Sequence, residues 1–242
     1  MLTDLRGAFA FLTVIPVGSP HVERPGRAFT YFPLVGLVIG VIVSFIATRT
    51  LFAPEVSAFL ALAAWVILTG GLHLDGFGDS CDGLFSTTTP ERRLEIMKDP
   101  RAGSWAVVGL TLLLLGKWIA LREVSPLLLI LPPIIGRWSM TLAAYAFPYA
   151  RASGLGAYYR DGLGRAQVVT ASLLTVAAVV LLAAITGDWR TFILLAIGPL
   201  VVVIFGRWSA RRLGGGLTGD IYGAICELTE LVCLLVLTVK LG

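Results

Sequence analysis

Seven stretches of this chain are apolar enough and long enough to cross a bilayer, and no soluble fold has a use for that many. They cover roughly 34–52, 56–72, 105–121, 125–147, 168–186, 190–206 and 222–240. A helix needs about 20 largely apolar residues to span the hydrocarbon core, and in lipid its backbone groups must all be satisfied internally. The shortage of charge says the same thing from the other side. Only 14% of the 242 residues are charged while 57% are hydrophobic. Soluble domains carry about 25% charge to wet their surface. The expected fold is all-α, a polytopic membrane helix bundle with about seven transmembrane helices, forming one membrane-embedded domain over residues 1–242. The apolar run from Gly7 to Val17 is too short to span and reads as an N-terminal interfacial helix. It lacks the small-residue cleavage pattern of a removed signal peptide.

The segments between spans fall into two kinds. The long ones are 1–33, 73–104, 148–167 and 207–221, and they hold most of the 19 Lys and Arg residues. The short connections and the C-terminus carry only Arg49, Arg122, Arg190 and Lys240. The two kinds alternate without exception. By the positive-inside rule, the N-terminus and every long segment face the cytoplasm of a cytoplasmic (inner) membrane, and the C-terminus lies outside. The basic residues form no single patch or tail, so the net charge of +4 does not point to nucleic acid. Cys81, Cys226 and Cys233 have no framework spacing, and the latter two read as small buried thiols.

The chemistry concentrates after the second span, in Leu72-His73-Leu74-Asp75-Gly76-Phe77-Gly78-Asp79-Ser80-Cys81-Asp82-Gly83. Steps of four and three put Asp75, Asp79 and Asp82 on one face of a helix. Three unpaired anions beside lipid repel one another and are costly to desolvate. A divalent cation removes both penalties, and an all-oxygen set suits Mg²⁺ better than zinc. The competing reading for any single aspartate is a helix cap facing water. Gly76, Gly78 and Gly83 weaken a helix by roughly 1 kcal/mol each relative to Ala, which makes sense where a ligand or helix must approach the backbone. His73 reads as a ligand orienter, a base or an interfacial residue. The loop that follows carries Arg92, Arg93, Lys98 and Arg101, the residue types that hold phosphate oxygens.

A second constellation opens the last span, at Gly214-Gly215-Gly216-Leu217-Thr218-Gly219-Asp220 with Glu227 and Glu230 beyond. Acids inside an apolar span usually mark a site. Asp220 and Glu227 are expected to complete the metal shell begun by Asp75, Asp79 and Asp82 or to position the nucleophile, with the two clusters converging across the bundle. The glycines, with Thr218 and Gly219, offer backbone N–H groups to a phosphate, although no Gly-Lys-Ser/Thr follows, so this is not a P-loop. Arg137, inside the fourth span, needs an anion, either one of these carboxylates or a substrate phosphate. Arg151 and Arg160 flank Gly154 and Gly156 and are placed to meet substrate. Lys117 reads as a snorkelling residue.

These residues resemble the cobalamin synthase family, the adenosylcobinamide-GDP ribazoletransferases. His73-x-Asp75-Gly76-x-x-Asp79-x-x-Asp82-Gly83 is similar to the family signature. Phe11-Leu12-Thr13 with Pro16, Tyr31-Phe32-Pro33-Leu34-Val35-Gly36, Ile96-Met97-Lys98-Asp99 and Thr218-Gly219-Asp220-x-x-Gly223-Ala224 resemble its other segments, so the likeness runs nearly end to end. Gly78 and Cys81 depart from the pattern without touching a carboxylate. The resemblance implies a membrane-embedded catalytic domain that uses Mg²⁺, one ion or two, to join adenosylcobinamide-GDP to α-ribazole or its 5′-phosphate. The products would be adenosylcobalamin or its phosphate, plus GMP. His73, Asp75, Asp79 and Asp82 would be catalytic, with His73 or a carboxylate taking the proton. The implied partners are these small molecules and membrane lipid. Self-association as a homo-oligomer and association with other corrinoid-pathway proteins both stay open.

Two rival readings remain. A lipid phosphotransferase acting on a CDP-alcohol shares Asp79-x-x-Asp82-Gly83, but Leu84-Phe85-Ser86 follows here where that longer motif continues with Ala-Arg. An ion- or proton-coupled transporter would also carry intramembrane acids, but such folds often show paired repeats, and this sequence has none. The topology is tested by a C-terminal reporter that is active only in the cytoplasm. The reporter should be silent, and activity would overturn the orientation.

Overall fold

The computed structural model describes residues 1–18, 23–48, 52–151 and 158–239. Arg49, Gly154, Gly156 and Lys240 lie outside the described residues. Among the described residues ten helices account for the fold, with no strand. They are α1 (Leu2–Leu12), α2 (Phe32–Ala47), α3 (Pro54–Thr69), α4 (Leu72–Phe85), α5 (Pro90–Ile96), α6 (Ser104–Glu123), α7 (Leu131–Ala146), α8 (Arg165–Thr186), α9 (Thr191–Arg212) and α10 (Gly219–Thr238). Short 3₁₀ turns at Pro25–Tyr31 and Pro126–Ile130 run directly into α2 and α7.

Six of these elements are long and apolar enough to cross a membrane: Pro25–Ala47, Ser104–Glu123, Pro126–Ala146, Arg165–Thr186, Thr191–Arg212 and Gly219–Thr238. The chain is a multi-pass helical membrane protein. The first element starts earlier than the expected 34, because Pro25 opens a 3₁₀ turn whose Gly26 lies against the backbone of Leu163 and Asp161. The expected span 56–72 is only the first half of a bent pair. α3 stops at Gly70 and α4 restarts after Gly71, both with left-handed φ (59° and 69°), and the two helices meet at 89°. Two consecutive left-handed residues favour glycine strongly, since a Cβ there costs roughly 1–2 kcal/mol.

The N-terminal helix also differs from the expected Gly7–Val17. α1 ends at Leu12, and Thr13 is extended (φ −144°, ψ 160°). The segment beyond is tied down by Val14 N–H donating to Leu68 O at 2.9 Å and by Arg6 donating to Val17 O. Those bonds replace the helical ones.

Burial sorts the bundle into a centre and a rim. About 89% of the α7 window and 67% of the α10 window are buried, against 28% for α6 and α8 and 33% for α9. The rim helices turn Leu112, Leu173, Leu181, Ile185 and Ile204 outward, each 60% exposed or more. That surface is apolar because lipid, not water, is its solvent. At the centre, glycines let backbones touch, as expected where helices associate without a hydrophobic drive. A Cβ on Gly36 would sit 2.4 Å from Pro133 O, and one on Gly40 would sit 2.5 Å from Ile130 O, so α2 lies hard against α7 and the turn before it. Gly36→Ala is expected to lower stability by about 1–3 kcal/mol through overpacking, measured as thermal unfolding in detergent. An unchanged transition would show that the two helices sit further apart.

Candidate active site

One cavity of about 440 Å³ collects residues from all four of the long basic segments. Phe11 and Phe29 come from the first, His73, Asp75, Gly76 and Lys98 from the second, Tyr149, Arg151 and Tyr159 from the third, and Gly219 and Asp220 from the fourth. Met140, Tyr222 and Gly223 form part of its wall. The alternation of long and short segments thus has a structural counterpart, because the long ones meet at one end of the bundle.

The convergence rests on glycine. α4 crosses α10 so closely that a Cβ on Gly76 would lie 2.9 Å from Asp220 O, and one on Gly223 would lie 3.2 Å from His73 O. On its other sides α4 is also pressed. Gly109 of α6 accepts the Cys81 thiol against its backbone, and Gly83 faces Met97 beside α5. Arg93 donates to Gly83 O and Leu84 O at 2.9 and 2.8 Å and holds the end of α4. Arg93 was expected to bind substrate. It is 8% exposed and spent on carbonyls that α4 leaves unpaired at its C-terminus.

The three aspartates do share one face of α4, but they meet different surroundings. Asp75 opens onto the cavity, and neither its carboxylate nor that of Asp79 has a hydrogen bond or ion pair among the described residues. Asp220, Asp75 and Asp82 all act electrostatically on Asp79, which places the four acids in one neighbourhood. Asp82 points elsewhere. Its two oxygens accept the N–H groups of Gly103 (2.6 Å) and Ala106 (3.0 Å), so it caps α6 from 21 residues away. Among the described residues no group of three or more His, Cys, Asp or Glu side chains is set to hold a metal ion. Of the three aspartates that spacing sets on one face, Asp75 and Asp79 are without side-chain partners among the described residues, whereas Asp82 caps α6.

Asp220 faces the same cavity. It accepts from Arg151 at 2.9 Å and from the Thr218 hydroxyl at 3.1 Å, while the Thr218 oxygen caps α10 by accepting Ile221 N–H. Gly219 lines the cavity beside them. The glycine run before it has another task. Gly214 and Gly215 carry left-handed φ, and Gly215 N–H closes α9 by donating to Ala210 O at 2.7 Å. Gly216 lies against the Ala150 backbone, and Leu217 pairs with Pro148 and Ala150. These glycines thus terminate a helix and anchor the loop that carries Arg151.

Glu227 is not in the acidic neighbourhood. Lys117, expected to snorkel, is 2% exposed and donates to Glu227 at 2.5 Å and to Glu230, with its ammonium 4.6 Å from the Trp65 ring centre. Arg137, fully buried, pairs with Glu230 on one side and reaches His73 Nδ1 at 3.3 Å on the other. Two cations and two anions thus neutralise one another inside the bundle, the arrangement that buried charge requires. Arg92 and Arg101 pair at the surface with Glu95 and Asp99, near Asp82 but outside the cavity that Asp75 and Asp220 line.

The cobalamin-5-phosphate synthase family model matches residues 4–238. The chain belongs to that family. Its relatives include the adenosylcobinamide-GDP ribazoletransferases of Roseiflexus sp. (strain RS-1), 39% identical over 96% of this chain and 88% of that one, and of Pseudomonas syringae pv. syringae (strain B728a), 41% identical over 95% and 96%. The Herpetosiphon aurantiacus enzyme is 36% identical over 98% of this chain and 96% of its own. No solved structure matches.

In this family member the cavity wall holds residues that the sequence alone did not single out as site residues: Phe29, Tyr149, Tyr159, Tyr222 and Met140. Phe11 and Tyr159 pack with ring centres 4.1 Å apart. Only the Phe11 segment carried a signal, through its resemblance to the start of the family. Lys117→Met should destabilise the protein by roughly 3–5 kcal/mol, because it leaves two buried carboxylates short of a cation. Thermal unfolding in detergent measures this, and a loss below 1 kcal/mol would mean that water reaches the network.

Proposed function

We propose that this chain joins adenosylcobinamide-GDP to α-ribazole or its 5′-phosphate, releasing GMP. The observation that carries the reading is the single cavity in which Asp75 and Asp220 face Lys98 and Arg151. Opposed acids and bases suit a substrate that brings both phosphate and hydroxyl groups, and family membership names the reaction class. The cavity is about 440 Å³. Ligand sites of roughly 300–1,000 Å³ enclose drug-sized molecules, so a ribazole fits inside with the diphosphate while the larger corrinoid remains at the mouth. The aromatic wall offers flat apolar surface to the ribazole base.

In the proposed step a ribazole hydroxyl oxygen forms a bond to the phosphorus next to the corrinoid arm. The bond from that phosphorus to the GMP oxygen breaks, GMP departs with the electron pair, and the hydroxyl proton passes to a carboxylate of the site. Arg151, aimed by Asp220, and Lys98 hold phosphate oxygens. Asp75 and Asp79, free of partners among the described residues, fit a hard cation that takes one or two carboxylates and fills its shell with phosphate oxygens. Mg²⁺ is the ion proposed, and when bound it would offset charge on the diphosphate. The cavity end is assigned to the cytoplasmic side of the inner membrane on the strength of its basic segments.

Purified protein given the GDP-activated corrinoid should release GMP only with both a ribazole and Mg²⁺. GMP release without ribazole, or transfer from a CDP-alcohol instead, would refute the reading. Asp75→Asn should lower turnover at least about 100-fold and raise the Mg²⁺ requirement. Asp82→Asn should instead lower thermal stability by about 1 kcal/mol with the Mg²⁺ requirement unchanged. If the two variants swapped behaviours, Asp82 would be the metal-holding residue and Asp75 would not.

A further inference from the structure

His73 is 1% exposed, lines the cavity that holds Asp75 and Asp220, and has one ring nitrogen engaged. Nδ1 lies 3.3 Å from an Arg137 guanidinium nitrogen. Nε2 has no hydrogen-bond partner among the described residues. Arginine only donates, so Nδ1 must accept, and a hydrogen there would face a second donor. A neutral imidazole that accepts at Nδ1 carries its hydrogen on Nε2. Arg137 is itself held fast, because its other nitrogen pairs with Glu230, and Glu230 is also gripped by Lys117.

We propose that the Lys117–Glu230–Arg137 chain fixes His73 as a hydrogen-bond donor through Nε2–H, making His73 a donor to a phosphate oxygen of the bound substrate and not the proton acceptor of the reaction. This deepens the assigned transfer reaction and rests on it for the identity of the acceptor oxygen. The tautomer itself does not depend on that reading. His73 touches substrate and is a catalytic residue. Arg137 and Glu230 act through it and are positioning residues. The assignment also bears on a choice left open by sequence, where His73 and the carboxylates were both candidates for taking the ribazole proton. With the ring aimed as a donor, that proton goes to a carboxylate. A donor has an evident use here, since an unmatched N–H in a buried wall becomes favourable only when a ligand oxygen meets it.

The chain has two histidines, His21 and His73, so ¹⁵N-histidine labelling of the protein in lipid nanodiscs yields two ring spectra. The spectrum lost in His73→Gln identifies His73. The expected result is hydrogen on Nε2 and a bare Nδ1, seen without any substrate. In Arg137→Met/Glu230→Met, which removes one cation with one anion and leaves Lys117 paired with Glu227, Nδ1 should lose its hydrogen bond and its ¹⁵N resonance should move downfield. A Nδ1–H signal in the wild type, or a Nδ1 resonance unchanged in the double variant, would overturn the proposal.

Turnover supplies the second arm. The glutamine amide can place an N–H where Nε2–H lies, so His73→Gln should stay within about fivefold of wild type while His73→Ala falls about 10²–10³-fold, the usual consequence of losing one preorganised donor. Equal loss in both variants would contradict the donor role. If the spectra agree and no GMP forms with any ribazole, the reaction assignment fails and the tautomer stands.

Discussion

Everything at the site depends on backbone-to-backbone contact between two helices that are far apart in sequence. α4 and α10 touch where Gly76 meets Asp220 and where Gly223 meets His73. The absence of side chains at those two points brings the acidic motif of α4 and the threonine-capped start of α10 onto one cavity. A methyl group at the crossing would separate them by a distance comparable to the tolerance of catalysis itself, where an error of 1 Å can cost about 100-fold. Glycine is unfavourable inside a helix by roughly 1 kcal/mol, and its presence at both points is explained by this approach.

The second constraint is electrical. Lys117, Arg137, Glu227 and Glu230 sit mid-way along three helices of an apolar bundle, where a lone charge is expensive. As a set of two cations and two anions they cancel. Their geometry does more than cancel, since Arg137 reaches past Glu230 to His73 at the cavity wall. The polar interior thus runs without a break from the centre of the bundle to the cavity wall.

Much of this was legible in the chain. Apolar runs and the alternation of basic with short segments predicted a helical membrane bundle whose long connections share one face, and the four-and-three spacing put three aspartates on one side of a helix. What pattern could not reach was partnership across distance. Asp82 looks like its two neighbours until Gly103 and Ala106 are found beneath it. Lys117 looks like a snorkelling residue until two glutamates more than 100 positions away meet it. The Gly214–Gly216 run suits a phosphate or a flexible turn by pattern, and only the bond from Gly215 to Ala210 shows that it closes a helix. The tyrosines of the cavity wall carry no periodic signal at all, because they come from loops and from the buried side of a helix.

The claim that the glycine crossing builds the site is tested most directly by two methyl groups on the same helix. A Cβ at position 76 meets the Asp220 backbone, whereas one at position 78 meets the mobile end of the Leu110 side chain at 3.3 Å. Measured as kcat/KM for GMP release, Gly76→Ala should fall on the order of 10–100-fold, and Gly78→Ala should remain near wild type. Wild-type turnover in Gly76→Ala, or equal loss in both, would show that the acids find each other by some other route.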